Sequence, residues 1–464
     1  MTRSNSSDSQ VRHVEWGKIA EYLIVFLLLP CLAFWYVGWH YYKVLSVAYY
    51  IIITMFVVQA SMSYISTLAS LPRLSFRFLG RDKRDTDKPI PRATFIVSAF
   101  LPNELDVVEA TLTNLLENIE RPDDGIEIIL AYNTPTMLDI EKRLCDMALK
   151  WPELILANAY QSKSKVENLN YALELASGQI IGLMDADHLP APDCLRKAWR
   201  WLATDTDIVQ GRCKIRNGNT NILTSLIEVE FEIMYGMQHH AKSILFDTAL
   251  FGGSDGFWRG DVLKKIRFRG DMLTEDIDAT LRAVTAGHVI KHDRSIVSTE
   301  LAPDTAGGFW FQRKRWSQGW FQCAWRHQIP VWRSPNMSLR AKFMWTWLLM
   351  WRLTYDAFAA LLFPVLCAYW INRTKITLPI NTYIVFAIAY TLGSGPVEAI
   401  ASYKNALKPR YPICNVLLYA LMAFPYTLYK NIIQMVAIRD HLLGHHDWIV
   451  TAHGNSEDKA EITK

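Results

Sequence analysis

Two charge-free runs near the start of the chain limit what it can fold into. Tyr22–Trp39 and Val44–Pro72 contain no Asp, Glu, Lys or Arg. Each is long enough to cross a bilayer core, which takes about 20 apolar residues in a helix. Tyr22–Trp39 is too long for a signal-peptide core, and no small-residue cleavage site follows it. The two runs read as a hairpin around His40–Lys43. Arg73, Arg77, Arg81, Lys83 and Arg84 come next, and a basic cluster beside a span marks the cytoplasmic side. The N-terminal tail and the region after the cluster are therefore expected in the cytosol.

With 464 residues there is room for one large domain plus membrane segments, or for two to three domains. The net charge of +4 gives no reason to expect a nucleic-acid partner. The 7 cysteines are scattered and no pair has the C-x-x-C spacing, so neither a zinc module nor a disulfide framework is indicated. Reduced thiols facing a cytosol are the simplest account.

From Pro91 to about Thr305 the pattern alternates. Thr94–Leu101, Ile126–Tyr132, Leu154–Ala159 and Gly178–Met184 read as strands; Glu104–Glu120, Leu138–Trp151 and Ser164–Ala176 read as helices. Such alternation predicts a mostly parallel sheet covered on both faces. Ligands bind such sheets outside the carboxyl ends of the strands, which directs attention to the polar residues there. Asn103 and Glu104 follow the first strand, Asn133 ends the second, and Asp185-Ala-Asp187-His188 ends the fourth. In extended chain Asp185 and Asp187 point the same way. Two carboxylates at one strand tip repel unless a cation lies between them or a pKa rises. Oxygen ligands of this kind suit Mg²⁺ or Mn²⁺; a loop capped by Asp before Pro190 is the alternative. His188 reads as a supporting residue, not a ligand.

Lys165 opens the helix before that strand, where free N–H groups and a lysine suit a phosphate. Thr274 stands at a helix N-cap position with Glu275, Asp276 and Asp278 behind it; one of these acids is a candidate general base. Gly252 and Gly253, before Ser254 and Asp255, allow close approach of backbone to a ligand. In Phe309–Trp320, Gln312, Arg315 and Trp316 fall on one helical face and offer an amide, a cation fork and an aromatic plate. That set suits a phosphorylated sugar donor and a sugar acceptor. An amphipathic helix at a membrane surface has the same pattern.

Together these motifs resemble the membrane-embedded family 2 glycosyltransferases with a GT-A fold, such as cellulose, chitin and hyaluronan synthases. The resemblance rests on Lys165-x-x-Asn168-Leu-Asn170, Asp185-x-Asp187, Thr274-Glu275-Asp276 and Gln312-x-x-Arg315-Trp316, in the family's order. It implies an α/β GT-A-like, Rossmann-like domain inserted between transmembrane helices of a multi-pass cell-membrane protein. Asp276 would be the general base, supported by Glu275. Asn103, Glu104, Asn133, Lys165, Asp185, Gln312 and Arg315 would hold the donor nucleotide. Asp187, with Asp185, would bind Mg²⁺ or Mn²⁺. Trp316, Gly253, Ser254 and Asp255 would line the acceptor site. One departure stands out: many relatives carry an Asp pair after the second strand, where this chain reads Leu130-Ala-Tyr-Asn133.

Downstream, Met344–Ile371, Ile376–Val397 and Tyr411–Leu428 are further span candidates, the first carrying Arg352 and Asp356 four residues apart. Counted simply, this puts the tail outside, whereas Trp448-x-x-Thr451 resembles a segment near the cytosolic active site in relatives. The expected layout is a tail over 1–18, two spans over 19–72, the catalytic domain over 73–305 and interfacial helices over 306–343. Three or more spans over 344–438 and a tail over 439–464 complete it. The function implied is a processive, inverting synthase that polymerises UDP-glucose or UDP-N-acetylglucosamine into a β-linked glycan and translocates it. The partners implied are the nucleotide sugar, the glycan, the bilayer and accessory secretion proteins. Transfer of one sugar to a lipid is the alternative.

Overall fold

The computed structural model describes residues 21, 24–71, 88–372 and 378–444. The basic cluster at Arg73–Arg84 and the Trp448–Thr451 segment lie outside them.

Eight strands form one sheet in the order β3-β2-β1-β4-β7-β6-β8-β5. They are β1 (Ala93–Phe100), β2 (Ile126–Asn133), β3 (Leu154–Asn158), β4 (Ile180–Asp185), β5 (Leu189–Pro190), β6 (Ile208–Ile215), β7 (Gly256–Arg259) and β8 (Ile290–Glu300). The expected parallel arrangement holds from β3 through β4. β7 then runs antiparallel to both β4 and β6, and β6 pairs in parallel with β8.

Strand periodicity divides the core in two. Phe95, Val97 and Ala99 of β1 pack with Ile128 and Leu130 of β2 on one face, under the helices Val108–Glu117, Asp139–Lys150 and Cys194–Leu202. Ile96, Ile129 and Ala131 face the other side, toward Lys165–Leu175, Gly260–Ile266 and Glu275–Ala286. Each buried Val, Leu, Ile or Phe contributes on the order of 1.5–3 kcal/mol. The registers set the strand ends level. Phe100 lies opposite Asn133, Ser98 opposite Asp185, and Leu183 opposite Gly256. The turn before β7 therefore arrives beside the tip of β4.

The helix expected around Phe309–Trp320 runs from Ala306 to Arg333, 28 residues. Its N-cap Thr305 hydroxyl accepts the Gly308 N–H at 3.1 Å. Inner-face residues Cys323, Ala324 and Val331 join the sheet's core.

Among the described residues, three helices are long and apolar enough to cross a membrane: Tyr42–Ser70, Pro379–Asn405 and Ile413–Leu442. Two expected spans look different. Tyr22–Trp39 contains a π-turn at Ile24–Leu28 before a 12-residue helix, Leu29–His40. Met344–Ile371 is broken into Leu339–Thr346, a π-turn at Trp347–Trp351, Arg352–Ala360 and Leu362–Asn372. Pro364, lacking an N–H, cannot extend the preceding helix. The Arg352 and Asp356 side chains lie outside the described ones. Lys430, Arg439 and Asp440 do not interrupt the last helix as their charge suggests; it continues through all three to Leu442. The two halves are tied at β8, where Arg294 donates to the Ser70 carbonyl at 3.1 Å and Asn405 donates to the Ser70 hydroxyl at 3.3 Å.

Candidate active site

The floor of the site is the row of strand ends. Lys165, the first residue of its helix, reaches across to the Asp185 carboxylate and lies 3.8 Å from Glu275. The helix is started by Ser164, whose hydroxyl accepts the Glu167 N–H at 3.2 Å. Burial pulls the Lys165 pKa down, but Asp185 and Glu275 more than reverse this, so the ammonium is held charged. Asp185 is fixed from below by its own N–H, which donates to the Ser254 hydroxyl at 3.0 Å. Asp187 is nearly buried. Its Oδ2 accepts the Leu301 N–H at 2.9 Å, and its Oδ1 lies 3.1 Å from His188 Nδ1.

Asp276 stands on the wall, in the first turn of Glu275–Ala286. Burial and the neighbouring Glu275 carboxylate push its pKa up to about 7, against the pull of Lys165 and Arg315. A carboxylate at that pKa is suited to accept a proton near neutrality. Gly253, at φ +92°, keeps the space in front of it open: a Cβ there would sit 3.1 Å from Asp276 Oδ2. Thr274 occupies the N-cap position, but its side chain makes no cap hydrogen bond. Its hydroxyl faces Cys323 Sγ at 3.5 Å, because the long helix presses against it.

That helix is the roof. Gly319 lets it approach; a Cβ at 319 would overlap the Thr274 side chain. Gly319→Ala is therefore expected to push the roof away from Asp276. Misplacement of about 1 Å costs on the order of 10²-fold in rate. The check is kcat against thermal unfolding, with kcat falling more than stability accounts for.

On the roof helix, Gln312 has a buried Oε1 without a hydrogen-bond partner among the described residues. Arg315 makes no ion pair among the described residues and acts electrostatically on Asp276. One face of Trp316 is covered by the Arg313 guanidinium, 4.4 Å from the ring centroid, so a sugar has only the other face to stack on.

The structure thus brings together Lys165, Asp185, Glu275, Asp276, Gly253 and Arg315, while Trp316 packs against the cluster of Phe231 and Tyr426. Asn103 and Glu104 stand at the end of β1 in a short helix, Leu101–Glu104. Asn133 is largely used inside the protein. Its Nδ2 donates to the Ser162 carbonyl at 3.0 Å, and its Oδ1 accepts from Asn168 at 2.8 Å. Ser254 and Asp255 do not line an acceptor site. Both are buried beneath it, Asp255 completely, because Asp255 adopts φ +51° and turns its side chain under the sheet. Sequence reasoning missed Glu230, Arg313 and Glu300. Three acids at alternate positions of the apolar run Ile222–Ile233, Glu228, Glu230 and Glu232, were the available signal for Glu230.

With this geometry established, comparison with known proteins is decisive at the level of the family. A sequence model described as glycosyl transferase family group 2 matches residues 180–427. That is more than half of the chain, and the chain belongs to this family. It is 25% identical over 246 residues to a probable glycosyltransferase, YdaM, of Bacillus subtilis (strain 168), covering 51% of this chain and 57% of that protein. It is 26% identical over 253 residues to poly-β-1,6-N-acetyl-D-glucosamine synthase of Staphylococcus epidermidis, covering 53% and 58%. The chain thus spans little more than half the length of these curated relatives. Among solved structures it resembles mannosyltransferase PcManGT from Pyrobaculum calidifontis, determined with GDP-Man and Mn²⁺. The TM-score is 0.54 at 20% identity, over 85% of this chain and 100% of that one. At that identity the likeness is one of fold, and the expected GT-A-like architecture stands.

Proposed function

We propose that this chain is an inverting hexosyltransferase that extends a β-linked glycan from a nucleoside diphosphate sugar at the membrane surface. The observation that carries the reading is Asp276: half-buried, faced by an open Gly253, with its pKa raised to about 7 and Lys165 and Arg315 acting on it. Asp276 takes the proton of an acceptor hydroxyl. That oxygen bonds to the donor's anomeric carbon as the bond to the phosphate oxygen breaks, and the nucleoside diphosphate leaves. Lys165 and Arg315 stabilise the charge that develops on it. Trp316 offers one face to the acceptor sugar.

A divalent ion fits the site. Asp185 and Asp187 stand two residues apart at the end of β4 and supply carboxylate oxygens only. Such a donor set suits Mg²⁺ or Mn²⁺. When bound, the ion supplies Lewis-acid charge to the diphosphate.

Processive synthesis is supported by the direct packing of the roof helix on the apolar helix Ile413–Leu442. Phe309 lies 5.8 Å from Tyr426, ring to ring, and Lys314 pairs with Asp440. The test is a screen of UDP-glucose, UDP-N-acetylglucosamine and GDP-mannose with the purified protein in vesicles, with product length and linkage analysed. Long glycan inside the vesicles is expected; a lipid carrying one sugar would overturn the polymerase reading.

The pH dependence follows from the same residue. The base works deprotonated, so kcat/KM should rise about tenfold per pH unit well below pH 7 and level off above it. A profile flat from pH 5 to 8 would remove Asp276 from the role.

A further inference from the structure

Below the donor site lies a second cluster that the proposed chemistry does not use. His188 follows β4, Cys213 belongs to β6, and Glu300 ends β8. His188 Nε2 is 2.8 Å from Glu300 Oε2 and 3.8 Å from Cys213 Sγ. All three donor atoms lie within 4.8 Å of one another. His188 and Cys213 are buried, while the Glu300 side chain keeps 16% of its surface exposed, which leaves a way in.

Asp255 lies near the cluster: it is completely buried, and neither carboxylate oxygen has a hydrogen-bond partner among the described residues. Its carboxylate leans on bare Gly211, two residues along β6 from Cys213; a Cβ at 211 would overlap Oδ2. A buried carboxyl left unpaired costs several kcal/mol if ionised. Its charged neighbours are His188 and Glu300, and burial pushes its pKa up to about 8.

We propose that His188 Nε2, Cys213 Sγ and the Glu300 carboxylate form a three-residue binding site for a borderline-soft divalent transition metal, best matched by Zn²⁺. Nitrogen and sulfur donors select against the Mg²⁺ that an all-oxygen set prefers. Zinc with bonds of about 2.0–2.3 Å places its ligands roughly 3.3–3.8 Å apart. The Nε2–Sγ pair already has this spacing, and the Nε2–Oε2 pair must open by about half an ångström. On loading, the Cys213 thiol releases its proton, as does His188 Nε2 where it is protonated, and the metal takes their place. His188 Nδ1–H remains on Asp187, the carboxylate–histidine–metal arrangement that fixes ring and tautomer. The ion would join the ends of β4, β6 and β8, next to Asp187. This assignment rests on the cluster's geometry and is independent of the transfer reaction proposed above.

The full chain, purified in detergent and stripped with a chelator, is loaded with Zn²⁺ in the presence of excess Mg²⁺, dialysed and assayed for metal. About one Zn²⁺ per chain is expected, with affinity reduced at least tenfold in Cys213→Ser and His188→Gln. Zinc-edge X-ray absorption on the unmodified protein should show one sulfur at about 2.3 Å and nitrogen or oxygen neighbours at about 2.0–2.2 Å. This reading needs no variant to fold. No retained zinc, zinc indifferent to Cys213→Ser, or a shell without sulfur would each overturn the assignment, leaving His188 as an ion-paired support for Asp187. None of these results depends on transferase activity.

Discussion

Asp276→Asn should lower kcat by 10²–10⁴-fold, the usual contribution of a positioned general base, while donor affinity changes little. The amide is nearly isosteric and fills the same space in front of Gly253, but it cannot take the acceptor's proton. Lys165, Asp185, Gln312 and Arg315, the groups assigned to the diphosphate, are untouched. The variant also loses a carboxylate that burial holds near pKa 7, so removing it relieves a half-buried charge and should not destabilise the fold. Isothermal titration with donor and metal, beside single-turnover transfer, separates the two effects. Full transfer by the variant would mean the proton leaves by another route.

Glu230→Ala should destabilise the protein by about 3–5 kcal/mol, the range for breaking a buried ion pair from one side. Glu230 accepts from Arg313 at 2.8 Å, from Lys430 at 2.8 Å and from the Tyr426 hydroxyl at 2.7 Å. Burial alone would raise its pKa, but Arg313 and Lys430 outweigh this and bring it down to about 2. Because the folded value is depressed, the stability it contributes is present above the unfolded carboxylate pKa near 4.5. It is lost as pH falls from there toward 2. The alanine variant strands Arg313, which lies against Phe309 and Trp316, and Lys430, which lies over Tyr426, so it should unfold at lower temperature and bind acceptor glycan more weakly. The measurement is thermal unfolding in detergent from pH 7 down to 3. The gap between the two proteins should narrow as the pH drops; a constant gap would mean packing, not charge, is at stake.

The strand ends were legible because each is marked locally. An apolar run of period two stops at a polar residue, and parallel registers set those stops level. That is how Asn103, Asn133 and Asp185 could be placed along one edge from sequence, whereas Lys165 and Asp276, at helix starts, were joined to them by the family resemblance. What could not be read depends on pairing across long separations. Nothing near Arg313 says that its partner is Glu230, 83 positions away. Nothing near His188 points to Glu300. Asp255 was misplaced for a different reason: its left-handed backbone reverses the side chain, and an Asp beside glycines in sequence looks like any exposed turn residue. Asn133 stands where sequence placed it, yet its amide is spent on Asn168 and Ser162. The last helix was cut short because Lys430 and Asp440 resemble a chain leaving the membrane. Their partners Glu230 and Lys314 show why the helix continues: the charges are neutralised by the domain.

That continuity has a mechanical consequence. Ile413–Leu442 is a single rod whose apolar stretch suits a bilayer and whose charged end grips the roof of the site. A helix whose apolar length does not match the lipid tilts to accommodate it. Here a tilt cannot stop at the membrane surface, because Asp440 is paired with Lys314 of the helix bearing Arg315 and Trp316, and Lys430 reaches the same helix through Glu230 and Arg313. On the proposed function, lipid thickness would act as a lever on acceptor alignment. The rate of sugar transfer is then expected to vary with acyl-chain length, with an optimum where the rod stands at its resting angle.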